Sequence, residues 1–368
     1  MSDLDDLITA FIAEEYQPAR PAKDALVADA DPQTSAHLAG LLHGWLDNDQ
    51  RGEKPGSIAV SHALYVLGDR GDRIAIPTML EIARRVHPTA EAANKVVFHC
   101  ALLAMGAFVD DPAVQALLVE VLAMPAADLD EQNRFQKLIE GLTMKAPPDI
   151  VYDLLGSYAR SEERRDIKRD KTLFALKQSA EAKRPIDRRW APIAARMIEV
   201  ELPGNAGPGM YAVTILAAAV QPDQADLLID LASRQPLGAS LLTALGKTRD
   251  RRGVPILERA LGDSNAYVNA AAGAALRFFG DPELRERGLR AVTTQLAEYL
   301  ASWEKAGDAV ILCKALRAID EPTIAAELEA HAKAVKKRGA KRVAEKEAKE
   351  HALEALQALL AHLQRDRA

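Results

Sequence analysis

The stretch LGKTRDRRGVPIL, residues 245–257, repeats the pattern of an earlier stretch, LGDRGDRIAIPTM, residues 67–79. In both, Asp-Arg follows the Leu-Gly pair at the same distance, an aliphatic-Pro pair comes next, and another apolar residue follows. A weaker third copy consists of Met105-Gly106, Asp110, Val114 and Leu117. A recurring helix end, turn and helix start is typical of stacked-repeat architectures. The pattern therefore predicts a protein built by stacking similar helical units.

The amino-acid composition favours helices throughout. Hydrophobic residues make up 48% of the 368 residues and aromatic residues only 5%, so the apolar content is mostly Ala and Leu, which are strong helix formers. Alternating runs of β-branched and aromatic residues, which are typical of half-buried strands, are almost absent. We therefore predict an all-α protein. A stacked-repeat chain of this length does not need several separate domains, because each repeat packs only on its neighbours.

Residues 252–280 form the clearest single repeat. Pro255 suits the first turn of a helix, where a missing N–H group does no harm. Gly262 ends that helix, and Asp263 or Ser264 is expected to cap the next one. The following apolar residues recur at helical spacing and form one stripe: Val268, Ala271, Ala272, Ala275, Leu276 and Phe279. Gly280-Asp281-Pro282 then ends this helix and opens another.

The stretch from Gly253 to Pro282 resembles a HEAT repeat of the short bacterial kind. Family copies often carry Arg just after the Val of the second helix, whereas this chain has Asn269 and so lacks a charge that often faces the groove or the turn. Weaker copies surround residues 63–85, 101–123, 212–232 and 312–332. The resemblance implies a right-handed α-solenoid of stacked antiparallel helix pairs (HEAT/armadillo-like). The resemblance also implies that the protein binds partner molecules, and it implies no catalytic motif.

Departures from the repeat pattern predict the domain organisation. The acidic first segment, with an amphipathic opening helix at Leu4, Leu7, Ile8, Phe11 and Ile12, suits a cap over the open end of a solenoid. The predicted parts are an N-terminal helical cap at 1–60, a first sub-solenoid at 61–182 with a charged helical insert at about 160–182, an irregular linker at 183–209, a second sub-solenoid at 210–320 and a C-terminal helical cap at 321–368.

The sequence predicts a cytoplasmic protein without a membrane segment. Its first residues are acidic and lack the order of a signal peptide, and no apolar run is long enough to span a bilayer. Cys100 and Cys313 each lie in an apolar helical stretch and are expected to be small core residues.

We predict no catalytic, cofactor-binding or metal-binding residue. The cluster of Gly204, Gly207 and Gly209 has no preceding strand and contains two prolines, so we interpret it as a loop. Arg70-Gly71-Asp72 spells an adhesion tripeptide but belongs to the repeated turn. The eight His residues show no metal-binding spacing.

Charge is distributed unevenly along the chain. Residues 1–60 carry a net charge of −7, residues 160–189 carry +5 and residues 333–346 carry +6. The central segment alternates basic and acidic residues, which is typical of a self-paired, solvated helix face. The segment at 333–346 is more purely basic, and Lys333, Lys336, Lys337 and Lys341 share a face if one helix continues through Gly339.

The leading hypothesis is a non-enzymatic HEAT-repeat scaffold that binds a protein or peptide partner in its groove. Trp190, between Arg188 and Arg189, is the best candidate anchor, because Trp and Arg dominate binding hot spots. The alternative partner is nucleic acid, since Lys and Arg clusters contact phosphates and some bacterial HEAT-like proteins are DNA glycosylases. A third interpretation, a lyase or chaperone for a cofactor-bearing protein, has no supporting residue. The candidate partner-binding residues are Arg188, Arg189, Trp190, Lys336, Lys337, Arg338, Lys341 and Arg342.

Overall fold

The computed structural model describes residues 19–50, 57–90, 94–161, 163, 166–201, 208–302, 308–340 and 343–364. These residues form α-helices and short 3₁₀ turns, with no β-strand among them, so the predicted all-α fold is confirmed. The helices are α1 (Ala19–Ala28), α2 (Pro32–Gln50), α3 (Ser57–Arg70), α4 (Ile76–Arg85), α5 (Lys95–Met105), α6 (Pro112–Ala123), α7 (Leu129–Lys145), α8 (Pro148–Ala159), α9 (Ile167–Glu181), α10 (Trp190–Glu201), α11 (Pro208–Ala219), α12 (Ala225–Arg234), α13 (Ala239–Thr248), α14 (Val254–Ala260), α15 (Ala266–Leu276), α16 (Pro282–Leu300), α17 (Ala309–Ile319), α18 (Ala325–Lys337) and α19 (Val343–Gln364). Some of the sequence predictions concern residues outside the described ranges: the opening helix at Leu4–Ile12, the loop residues 203–207, and the candidate binding residues Lys341 and Arg342.

The chain divides into two units, Met1–Asp187 and Arg188–Ala368. In the first unit α3, α5, α7 and α9 pack on one another in that order, and α4, α6 and α8 pack against them. In the second unit α11, α13, α15, α17 and α19 pack in the same way, and α12, α14, α16 and α18 pack against them. We call the first set in each unit the stacking layer and the second set the backing layer. This alternation is the predicted solenoid of stacked helix pairs.

Leucine and alanine side chains fill the space between the two layers. In the second unit Leu312 and Leu316 of α17 are fully buried, as is Leu356 of α19. Val292 and Leu296 of α16 reach the same cluster from the backing layer and are also fully buried. Each repeat thus buries an apolar face that it could not bury alone.

The repeated sequence phrase forms the turn between a stacking helix and the next backing helix. Gly71 and Arg249, each three residues after the Gly of the phrase, have left-handed φ values of +69° and +59°. The next residue, Asp72 or Asp250, is extended and begins a 3₁₀ turn that leads into the backing helix. Both stretches therefore fold into the same turn, as the repeated spacing predicts.

The glycine of the repeated phrase lies inside a helix and does not end it. Gly68 lies inside α3 and Gly246 inside α13. A Cβ on Gly68 would lie 2.7 Å from Cα of Ala104 in α5, and a Cβ on Gly246 would lie 2.6 Å from the carbonyl oxygen of Ala275 in α15. These glycines are needed because neighbouring stacking helices approach at backbone distance.

Two further turns, at Gly280-Asp281-Pro282 and within the weaker copy at 312–332, share this backbone form. Gly280 and Asp320 also have left-handed φ values, +66° and +54°, and each is followed by an acidic N-cap, Asp281 or Glu321. Arg251 pairs with Asp281 at 3.2 Å, so the arginine of one turn contacts the cap of the next turn. Exposed pairs of this kind each contribute about 0–1 kcal/mol, so they set register more than they stabilise.

Two predicted boundaries and one predicted cap differ from the structure. Residues 183–209 were expected to be an irregular linker, but they contain α10, which packs on α11. The predicted insert at about 160–182 contains α9, which packs on α7 and α8 as a regular member of the stack. Asn265, and neither Asp263 nor Ser264, caps α15, because its side chain accepts a hydrogen bond from the amide of Tyr267.

The departure from the HEAT pattern at Asn269 has a structural explanation. Asn269 is 3% exposed, and its Nδ2 donates a hydrogen bond to the carbonyl oxygen of Leu261 at the end of α14. A buried amide therefore occupies the position where family copies often carry Arg.

Burial lowers the pKa of two histidines in the first unit. His87 is 6% exposed, shares a 2.8 Å hydrogen bond with Thr89 and packs edge-on against Phe98. Burial lowers the pKa of His87 below its ordinary value. Burial and the positive charge of Arg134 lower the pKa of His99 in the same direction.

We expect the protein to lose stability as the pH falls below about 6.5, the ordinary pKa of histidine. In this range the unfolded chain takes up protons that folded His87 and His99 resist, and stability falls wherever the unfolded state binds more protons. Urea unfolding of the wild type and of His87→Gln at pH 7.5 and 5.5 measures this effect. The variant should show a smaller difference between the two pH values, whereas the exposed-site control His351→Gln should keep the wild-type difference. An unchanged difference in His87→Gln would contradict the prediction.

Candidate binding surface

The structure buries the candidate anchor Trp190. This residue begins α10 and is 1% exposed. Arg188 is exposed and pairs with Asp223, while Arg189 is half-buried. Since the indole has almost no surface, the Arg188-Arg189-Trp190 group offers no exposed aromatic ring to a partner.

The basic segment near the C-terminus does not form one continuous face. Helix α18 ends at Lys337, and Arg338 is its C-cap, with a guanidinium that donates to the carbonyl oxygen of Leu300 at 2.8 Å. Lys336 and Lys337 are exposed at the helix end. Lys341 and Arg342 lie outside the described residues. Because the helix stops before Gly339, the alignment of lysines that a continuous helix would give is absent from the described segment.

The charged segment around residue 168 is partly buried in the first unit. Arg169 is 2% exposed, and Lys168 donates to the carbonyl oxygen of Leu122 at 2.5 Å. The hydroxyl of Tyr158 donates to the same oxygen at 3.1 Å. Burial lowers the pKa of Lys168. The ammonium group therefore caps the end of α6, and the expected solvated helix face is replaced by side chains that hold the first unit together.

The strongest candidate surface lies in the second unit and was missed by sequence reasoning. Four successive stacking helices, α11, α13, α15 and α17, contain no Asp or Glu within their bounds. The backing helices beside them are rich in both, as in Asp226 and Asp230 of α12 and in Glu283 and Glu286 of α16. The four helices differ in this respect both from the backing helices and from α19, the last stacking helix, which contains several Glu residues.

One stripe of each of these helices remains accessible to solvent. On α15 the stripe begins at Tyr267, which is 59% exposed, and continues through Ala271 and Ala274 to Phe278 in the 3₁₀ turn after the helix, all partly exposed. The matching residues on the neighbouring helices are Tyr211, Thr214 and Ala218 on α11, Ser240, Thr243 and Lys247 on α13, and Ile311, Lys314 and Ala318 on α17. We call these stripes together the carboxylate-free face. It is a strip of small and aromatic side chains with lysines at one side.

The basic groups on and beside this face have no partner among the residues that the structure describes. Lys247, Lys314 and Arg317 are exposed, and none of them makes an ion pair or a hydrogen bond with another described residue. Lys247 and Arg317 lie in the last turn of their helices, where a cation also interacts favourably with the helix dipole. That interaction leaves the ammonium and guanidinium groups available to an external anion.

The stacking layer of the first unit contrasts with this face, because its charges pair internally. Asp69 of α3 contacts Lys23 at 2.8 Å and Lys145 at 2.9 Å. Burial disfavours ionised Asp69, but the two lysines outweigh it and hold the pKa of this carboxyl group below its ordinary value. Lys137 pairs with Glu140 of α7 at 2.7 Å. The first unit therefore presents little unmatched charge on its stacking layer.

Other kinds of site find no support in the described part of the chain. Among these residues no group of three His, Cys, Asp or Glu side chains could hold a metal ion. Cys100 and Cys313 are buried, and burial raises the pKa of the Cys313 thiol to about 12. No described helix combines the length and the apolar character needed to cross a membrane.

The fold and this face define the class of the protein as an α-helical repeat protein with an accessible stacking layer. No protein-family model and no curated protein matches its sequence. The structure is similar to that of human deoxyhypusine hydroxylase in complex with glycerol, at 16% identity and a TM-score of 0.30, over 97% of this chain and 96% of the other. It is also similar to a chain of the structure in which Kap95p induces the switch loops of RanGDP to adopt the GTP-bound conformation, at 13% identity and a TM-score of 0.47, over 98% of this chain and 51% of the other. At these values the likeness concerns the helical fold alone, and we transfer no residue role from either protein.

Proposed function

We propose that the protein is a binding scaffold and that its second unit holds an acidic segment of a partner protein along the carboxylate-free face. The observation that carries this proposal is the absence of Asp and Glu from four successive stacking helices that expose unpaired Lys247, Lys314 and Arg317. Carboxylates are common elsewhere in the same unit. A surface without them repels no acidic ligand, and its free cations attract one.

The shape of the face suits an extended or helical peptide. Packed helices lie about 8–10 Å apart, and an extended chain advances about 3.3 Å per residue. A peptide lying across the stack would thus meet a new helix about every three residues. Small side chains such as Ala271 and Ala274 let its backbone approach, while Tyr267 and Phe278 supply apolar contact area.

Reversing three charges beside the face tests the proposal. In the variant Lys247→Glu/Lys314→Glu/Arg317→Glu, we expect acidic peptides to bind about tenfold more weakly, since each rim charge contributes up to about 1 kcal/mol. Fluorescence anisotropy with a labelled library of acidic peptides, at low and at moderate salt, measures the affinity. The wild-type affinity should fall as salt rises.

A matched control keeps the number of reversed charges and moves them to the backing layer. Arg259 of α14 and Lys333 of α18 are exposed, and Arg259→Glu/Lys333→Glu together with Arg234→Glu at the end of α12 should leave peptide binding unchanged. Equal affinities for the wild type and the face variant would refute the proposal. A preference for single-stranded oligonucleotides over every acidic peptide would replace the peptide by nucleic acid.

A further inference from the structure

An open cleft of about 880 Å³ lies at the end of the carboxylate-free face. The turns that follow α13, α15 and α17 and the first part of α16 form it, and three arginines line it: Arg249 and Arg277 from the first two turns and Arg285 from α16. Phe278 and Phe279 form part of its wall. We call this cleft the arginine cleft.

Three of the four carboxylates in the arginine cleft pair with arginines, whereas two of its arginines have no carboxylate partner among the described residues. Asp281 pairs with Arg251, Glu286 with Arg290 and Glu321 with Arg285, while Asp320 lies 3.1 Å from Nε2 of His362. Neither Arg249 nor Arg277 contacts a carboxylate among the described residues. Two unmatched arginines against the single carboxylate Asp320 leave the cleft with a net positive charge.

Arg249 occupies a backbone conformation that favours glycine. Its φ is +59°, and the equivalent positions in two other turns are Gly71 and Gly280. A left-handed conformation is costly for a side chain as large as arginine. The exposed guanidinium makes no contact with another described residue that offsets this cost. Strained residues of this kind cluster at ligand sites.

The other two arginines are held in place with hydrogen-bond donors unused. The guanidinium of Arg277 lies over the Phe278 ring, 4.8 Å from its centroid. Nη2 of Arg285 donates to the carbonyl oxygens of Ile319 at 3.0 Å and Asp320 at 2.7 Å, while its buried Nε has no hydrogen-bond partner. A buried donor without an acceptor is unfavourable. A ligand anion reaches this donor only if the Arg285 side chain shifts, whereas the exposed guanidinium of Arg277 is accessible as it stands.

We infer that the arginine cleft binds a phosphorylated side chain of the acidic segment, an assignment that rests on the proposed function. Arginines from two turns and from α16 line one cleft. A carboxylate offers two oxygens and one charge, which a single arginine can satisfy. A phosphoryl group offers three acceptor oxygens and nearly two charges, which suits several guanidinium groups at once. The phosphoryl group occupies the cleft, and the flanking acidic residues lie along the carboxylate-free face.

Titration of the full-length protein with phenyl phosphate, inorganic phosphate and benzoate tests the cleft directly, by NMR or calorimetry. Phenyl phosphate should bind, and benzoate should bind at least about tenfold more weakly because it offers fewer charge-assisted hydrogen bonds. Matched peptides with and without one phosphoserine then test the cleft together with the face. Equal affinity for phenyl phosphate and benzoate would overturn the inference.

The variant Arg249→Gly separates binding from folding. Glycine relieves the strained backbone, so the melting temperature should stay the same or rise while phenyl phosphate binding weakens about tenfold. Arg277→Gln should also weaken binding, and the control Arg259→Gln should not.

Unchanged phosphate binding in Arg249→Gly would contradict the assignment even if acidic peptides still bind, and the proposed function would then survive without it. If the wild-type protein binds phenyl phosphate but no acidic peptide, the proposed function is refuted and only an isolated phosphate site remains. A single-stranded RNA that binds more tightly than every phosphopeptide, with its affinity reduced by Arg249→Gly, would reassign the cleft to nucleic-acid phosphates.

Discussion

Replacing Arg70 with methionine is expected to lower the free energy of unfolding by about 3 kcal/mol. The Arg70 side chain is 3% exposed, although it belongs to the sequence Arg70-Gly71-Asp72 that spells an adhesion motif. Its guanidinium donates to the carbonyl oxygens of Leu26 and Asp31, at 2.7 and 2.8 Å, and pairs with Asp72 at 2.8 Å. One side chain thus ties the end of α1 and the loop after it to the repeated turn.

Methionine matches the length of the aliphatic stem but removes the charge and every donor. The carbonyl oxygens at the end of α1 then lose their partners, and Asp72 loses its counter-ion. Urea denaturation followed by circular dichroism measures the change. The control is Arg73→Met, three residues on, because Arg73 is 58% exposed and its pair with Asp110 should contribute less than about 1 kcal/mol. A similar loss of unfolding free energy in the two variants would show that the buried Arg70 contacts stabilise the protein no more than an exposed ion pair does.

Replacing Gly106 with alanine is expected to destabilise the protein by about 3 kcal/mol or to prevent folding, because it overfills a backbone contact. A Cβ on Gly106 would lie 2.0 Å from the carbonyl oxygen of Gly141 in α7. A Cβ on Gly141 would in turn lie 2.6 Å from the carbonyl oxygen of Leu103 in α5. The two helices can make room only by moving apart, which would open the packed interior on both sides.

The backbone of Gly106 does not itself need glycine, since its φ is −54° and its ψ is −24°. Any loss of stability in Gly106→Ala therefore measures the helix contact alone. Gly40→Ala is the matched control, because no atom lies within 4 Å of the added Cβ and the residue is inside α2. Alanine should stabilise that helix by about 0.5–1 kcal/mol. Thermal unfolding of the two variants should thus shift in opposite directions, and a Gly106→Ala protein as stable as the wild type would disprove the close contact.

Local sequence patterns were sufficient to predict the elements of the fold. The spacing of Leu67-Gly68, Asp72 and Pro77 predicts a helix, a turn and a second helix, and the structure places α3, a 3₁₀ turn and α4 there. Such predictions succeed because helix formation and capping depend on residues a few positions apart. The left-handed turn at Gly280 was also within reach, since a glycine followed by an acidic N-cap and a proline is a local pattern.

The candidate site was predictable only in part, because exposure depends on distant residues. Trp190 and Arg169 are of residue types that often anchor a partner at a binding surface, yet their exposed fractions are only 1% and 2%. The carboxylate-free face has no local signature, since its members lie one repeat apart and adjoin only when the repeats stack. A comparison of acidic residues between alternate helices could have detected it once the repeat length was known.

The repeated phrase shows where the two kinds of information divide. By itself the sequence determined that this protein is all-helical, that its helices form stacked pairs, and where the shared turns lie, because these features follow from local propensity and capping. Only the tertiary structure decided that Gly68 and Gly246 are contact points between helices and not helix ends. It also decided which charges pair and which remain free, as in Arg70 and Arg249. The physical reason is that burial and ion pairing are set by groups that meet across repeats, whereas the chain encodes each repeat separately.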